Sequence, residues 1–174
     1  ALARGERGAA RPYGFGVYRA ADYDELIDHP VEMGDFTLGH FEAAGVTHDI
    51  VLSGRHDCDL ERLREDLRRI CEWQLAPFGA PPPMDYYVFL TMVVGEGYGG
   101  LEHRASTALL CSRADLPWKG MAASAETLPE GYKTFLGLCS HEYFHTWNVK
   151  RIKPAAFTPY DLGRENHTRL LWAF

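Results

Sequence analysis

His141 and His145 stand four residues apart in the run Ser140-His141-Glu142-Tyr143-Phe144-His145, with Glu142 beside the first of them. On a helix this spacing puts both imidazoles on one face about a turn apart, close enough to reach a single tetrahedral metal ion. The chemistry implied is zinc-assisted hydrolysis. Two histidines hold the ion, and Glu142, next to the open coordination position, takes a proton from water and hands it to the leaving amine. A five-residue pattern of this kind also arises by chance. Here it sits in an apolar helix, where two imidazoles and a carboxylate are costly to bury without a metal or dense hydrogen bonding.

The helix that must carry these groups is marked by Phe135, Leu136, Leu138, Cys139, Tyr143, Phe144 and Trp147, apolar nearly all the way round. It is therefore expected to be central and covered on several sides, and to end before Pro154, with a second helix beginning near Asp161. Upstream, Asp59 is placed to cap an amphipathic helix whose buried positions read as Leu60, Leu63, Leu67, Ile70 and Trp73 and which is expected to stop at Pro77. Tyr86 to Val94 reads as a buried strand, Gly95 to Gly100 as a glycine-rich turn, and Thr107 to Cys111 as a short strand. Earlier, Phe36-Thr37-Leu38 is a short apolar run and Asp49 to Leu52 a strand bounded by Gly45 and Gly54. The order predicts an α+β domain, a small mixed sheet packed with helices around the metal-binding helix, over residues 13–174, with 1–12 a flexible Gly/Ala/Arg-rich lead-in.

At 174 residues the chain can bury a core as one domain, and its net charge of −6 includes no Lys/Arg-rich block, which argues against nucleic acid as a partner. No stretch reaches the roughly 18 apolar residues of a membrane span, and no signal-peptide layout is visible. The four cysteines have no C-x-x-C pairing and read as free buried thiols, weakly favouring the cytoplasm, with periplasm or secretion left open. The chain closes on the apolar run Leu170-Leu171-Trp172-Ala173-Phe174. That reads as a fragment end, and self-association is expected from it.

The longer string Ser140 through Trp147-Asn148-Val149-Lys150-Arg151-Ile152-Lys153-Pro154 resembles the glycyl aminopeptidase family of zinc metallopeptidases. Gly99-Gly100-Leu101-Glu102-His103 is similar to the family's glycine-glycine-apolar-Glu segment, and Arg164-Glu165-Asn166 through Leu171-Trp172 also fits. The resemblance implies a thermolysin-like zincin fold, a zinc cofactor, and removal of N-terminal residues from peptides, with glycine or alanine preferred. It also implies a longer protein, often with a C-terminal PDZ domain, of which this is an incomplete catalytic segment, inactive on its own.

On this reading His141 and His145 bind zinc, Glu142 is the base, Glu102 pairs with the substrate's free amino terminus, and Gly99 and Gly100 let substrate approach the backbone. Read without the family, Glu102 is a solvated charge in a glycine turn. The third zinc ligand is either Glu165, with 19 residues between it and His145, or a glutamate just past Phe174, which the resemblance favours. Lys150, Arg151 and Lys153 read as cations at a helix C-terminus, Asn148 as a partner for a metal-bound imidazole, and His103 as a hydrogen-bonded histidine without a catalytic role. His29, His40, His48, His56 and His167 read as surface residues. The competing expectation is a non-catalytic structural or binding module with an incomplete zinc site.

Overall fold

Ala44 and Gly45, both with positive φ (49° and 80°), form the two-residue turn that joins β1 (Phe36–Ala43) to β2 (Val46–Ser53). The computed structural model describes residues 13–121, 127–159, 161 and 163–173; the lead-in expected over 1–12 lies outside them. A short helix α1 (Tyr23–Ile27) precedes the hairpin, and α2 (Leu60–Phe78), β3 (Tyr86–Val94), β4 (Tyr98–Glu102), β5 (Ser106–Ser112) and α3 (Glu130–Phe144) follow it. The strands form one sheet in the order β1-β2-β3-β5-β4. β2, β3 and β5 run parallel, and β1 and β4 pair antiparallel at the two edges. The sheet is mixed, as expected. β2-α2-β3 is nevertheless a crossover unit of the βαβ type, a pairing between distant segments that no local pattern announces.

Asp59 caps α2, its side chain accepting the Arg62 N–H at 3.2 Å. The buried stripe is Leu63, Leu67, Cys71 and Leu75, in which each leucine is worth roughly 1.5–3 kcal/mol of apolar burial. Trp73 falls off this stripe and is 81% exposed, which corrects its assignment to the core. The helix also runs past Pro77 to Phe78. A proline in the last turn forfeits one hydrogen bond but does not stop the residue after it, and Gly79 (φ 76°) ends the helix instead.

Alternation along each strand sends Phe41, Ala43, Ile50, Leu52, Tyr87, Phe89, Leu109 and Cys111 to one face, where they meet α2 and α3 in a single core. On the other face Asp49 is buried and accepts hydrogen bonds from His40, Tyr13 and Tyr86, anchoring the chain that leads into the sheet. All four cysteines are free, as expected. No α-helix begins near Asp161 among the described residues. Its carboxylate accepts the Gly163 N–H and pairs with Arg164, and its carbonyl accepts from Asn166, local bonds that compete with helix formation. No helix among the described residues is long and apolar enough to cross a membrane.

Candidate metal centre

Helix α3 has no side-chain cap at its start. It is held by burial of Tyr132, Phe135, Leu138, Cys139 and Tyr143, so packing rather than local propensity fixes its roll. His145 follows its last residue and is still helical (φ −63°, ψ −13°), which keeps it one turn beyond His141 on the same face. The two Nε2 atoms lie 3.1 Å apart and the rings meet at 88°. Two nitrogens bound to one tetrahedral zinc at 2.0–2.1 Å would be about 3.3 Å apart, so the pair is spaced as metal ligands require.

The tautomer of His145 follows from its other nitrogen. Nδ1–H donates to the carbonyl of Asn148 at 3.0 Å, leaving the Nε2 lone pair facing His141. The partner is thus the main chain of Asn148, not its side chain. Val149 holds that carbonyl in place with φ 85°, a left-handed conformation that costs a β-branched residue about 1–3 kcal/mol. Two hydrogen bonds maintain it, Val149 N–H to Ile152 O at 2.8 Å and Ile152 N–H to Trp147 O at 2.7 Å.

Glu142 is 4% exposed, and its Oε2 has no hydrogen-bond partner among the described residues. Burial raises its pKa above the ordinary carboxylate value; the neighbouring His141 and His145 pull it down, and Glu102 pushes it up. Its carboxylate lies against Gly100 of β4. A Cβ at that glycine would sit 2.3 Å from Oε1 and 2.6 Å from Cδ, so the strand passes Glu142 only because residue 100 has no side chain.

β4 is the element that residue patterning missed, although the family segment that Gly99 to His103 resembles is a strand. Its glycines read as a turn, yet Tyr98 to Glu102 pair with β5. Alternation puts Tyr98, Gly100 and Glu102 on the side facing α3 and turns Gly99 and Leu101 to the opposite face. Of the two glycines singled out, only Gly100 therefore fronts the site. Glu102, Glu142 and His145 each offer a ligand atom, and these atoms lie within 4.8 Å of one another. Glu165 does not join them; its side chain is 83% exposed and stands 3.5 Å from His167.

His48, expected at the surface, is fully buried beneath α3. Its Nδ1–H donates to Val46 O at 2.9 Å, and its Nε2 accepts from the Tyr143 hydroxyl at 2.9 Å. Burial lowers its pKa to about 4, so the ring is neutral near pH 7. The apolar neighbours of a strand residue on the core face were the only available signal. His103 is likewise buried, its Nδ1 has no partner among the described residues, and burial lowers its pKa.

The arrangement can hold a divalent metal between His141 and His145, with a raised-pKa carboxylate beside it and a second carboxylate within reach. Its donor set of imidazole and carboxylate suits zinc. Residues 134–174 match the model of the M61 glycyl aminopeptidase family. A crystal structure of an aminopeptidase N family protein from Idiomarina loihiensis is similar to this chain, with 51% identity and a TM-score of 0.86 over 94% of the chain. The chain spans 27% of that protein's length. No curated protein matches.

Proposed function

We propose that this chain is part of the catalytic domain of a zinc aminopeptidase with a thermolysin-like fold, a reading supported by the match of residues 134–174 to the M61 glycyl aminopeptidase family model. The observation that carries this reading is the convergence of His141, His145, Glu142 and Glu102 on one spot at the edge of the sheet. Zinc held by the two imidazoles would polarise the scissile carbonyl and ease deprotonation of a water. Glu142, buried and without a hydrogen-bond partner on Oε2, accepts that proton and returns it to the leaving amine. Glu102 pairs with the ammonium of the substrate's first residue, which fixes the distance to the first peptide bond.

Two neighbouring carboxylates favour a cation between them, and the edge of β4, unpaired among the described residues, is a template for an extended peptide chain. With Glu102 assigned to the ammonium and Glu142 to proton transfer, the cluster supplies two zinc ligands, and a third is needed from outside it. Glycine or alanine is the preferred N-terminal residue, and the 174 residues alone are expected to turn over peptide poorly.

The test uses the full-length protein, stripped of metal and reloaded with zinc, on peptides with free and acetylated N-termini. Release of N-terminal glycine or alanine from free peptides only, abolished in Glu142→Gln, supports the reading. Equal turnover of blocked peptides removes the role of Glu102, and activity retained by Glu142→Gln removes the mechanism.

A further inference from the structure

The segment that follows the metal helix is tied to the turn that follows Glu102. Arg151 donates from Nη1 to Thr146 O at 2.7 Å and to Arg104 O at 3.0 Å, and from Nη2 to Pro83 O at 3.1 Å. A cation at a helix C-terminus explains the first of these bonds only. The other two carbonyls belong to the β4–β5 turn and to the lead into β3. One residue earlier, Lys150 Nζ pairs with Asp28 Oδ1 at 3.1 Å, and Asp28 Oδ2 accepts the Arg104 N–H at 3.0 Å. Both backbone groups of Arg104, two residues past Glu102, are therefore anchored to the stretch just past His145.

That double anchor matters because β4 is an edge strand, paired with β5 alone among the described residues. The turn at its end is closed by His103 N–H to Ser106 O at 2.9 Å and by the Thr107 hydroxyl to Leu101 O at 3.1 Å. Ala105 O accepts the Val88 N–H of β3 at 3.2 Å, so the Arg104 peptide groups turned the other way are held by Arg151 and Asp28. We infer that Arg151 is a positioning residue, which sets the distance between Glu102 and the His141–His145 pair and so the selectivity for substrates with a free amino terminus. This rests on the aminopeptidase reading above. A guanidinium suits the task, since its planar fork of donors reaches several acceptors at once, whereas an ammonium is a point donor. The clamp grips backbone carbonyls, so the sequence of the turn carries no sign of it.

The test compares Arg151→Ala and Arg151→Lys with the unaltered full-length protein. Arg151→Ala is expected to speed hydrogen exchange of the amides in 98–105, to leave those in 86–94 and the zinc content unchanged, and to lower the preference for free over acetylated N-termini about tenfold or more. Arg151→Lys should fall between, and added methylguanidinium should restore selectivity to Arg151→Ala. Unchanged exchange over 98–105, or unchanged selectivity in a folded and zinc-loaded variant, overturns the assignment. So does loss of zinc in step with selectivity, which would make Arg151 a support of the metal helix alone. If Arg151→Ala does not fold, Arg151→Lys decides by the same readings. If the unaltered protein releases no N-terminal residues, the aminopeptidase reading fails, and the exchange measurement still decides whether Arg151 holds the turn.

Discussion

Gly100→Ala is the smallest perturbation aimed at Glu142, the base of the proposed mechanism. The added Cβ would meet Glu142 Oε1 at 2.3 Å, Cδ at 2.6 Å and Cγ at 2.7 Å. An ordinary carbon–oxygen contact is about 3.3–3.5 Å, so the carboxylate must retreat by roughly 1 Å. The backbone at residue 100 is not left-handed and accepts alanine, so the strain falls on the Glu142 side chain. A displacement of about 1 Å at a catalytic group costs on the order of 10²-fold in rate, roughly 2.7 kcal/mol of barrier. Overpacking should lower stability by about 1–3 kcal/mol. Zinc content should be unaffected, because the three atoms nearest the added Cβ all belong to Glu142. Gly99→Ala is the matched control, since its Cβ meets nothing within 4 Å, and its rate should stay close to that of the unaltered protein. The assay is release of N-terminal glycine by the full-length protein, with bound zinc and thermal unfolding measured on the same samples. Wild-type turnover in Gly100→Ala, or an equal loss in Gly99→Ala, would refute the placement of Glu142 against β4.

His48 gives a pH dependence with a definite sign. Its folded pKa is about 4 against an ordinary 6.5, so between these values the unfolded chain binds more protons and stability falls as pH drops. The full effect is about 3 kcal/mol, read as a fall in Tm from pH 6.5 to 4 that His48→Phe should flatten. Tyr143→Phe removes the donor to His48 Nε2 and leaves a buried acceptor unpaired, which should cost about 1–3 kcal/mol in urea unfolding. Combined with His48→Phe the loss should be less than additive, since both partners of one hydrogen bond are then gone. Zinc added at 100 times its Kd should raise stability by about 2.7 kcal/mol, seen as a Tm increase, and His141→Ala should abolish that shift.

Helical features were largely legible in the sequence. His141 and His145 share a face because 3.6 residues make a turn, and the Asp59 cap is a bond between neighbours three residues apart. Tyr86 to Val94 announced itself as a strand through a continuous run of apolar, β-branched and aromatic residues. These are short-range preferences, and a window of ten residues contains them. What the sequence did not contain was any decision made between distant segments. β4 became a strand by pairing with β5, though its glycines locally favour a turn. His48 became buried because α3 packs over β2, with Tyr143 95 positions away as its partner. Trp73 left the core because the helix rolled to present Cys71 and Leu75. Residue types and spacing thus specified the His141–His145 pair and Glu142 beside it as the candidate metal site. Only tertiary structure brought Glu102 to them and tied its turn to Arg151, because a contact across the fold depends on strand order and on packing, neither of which leaves a periodic mark.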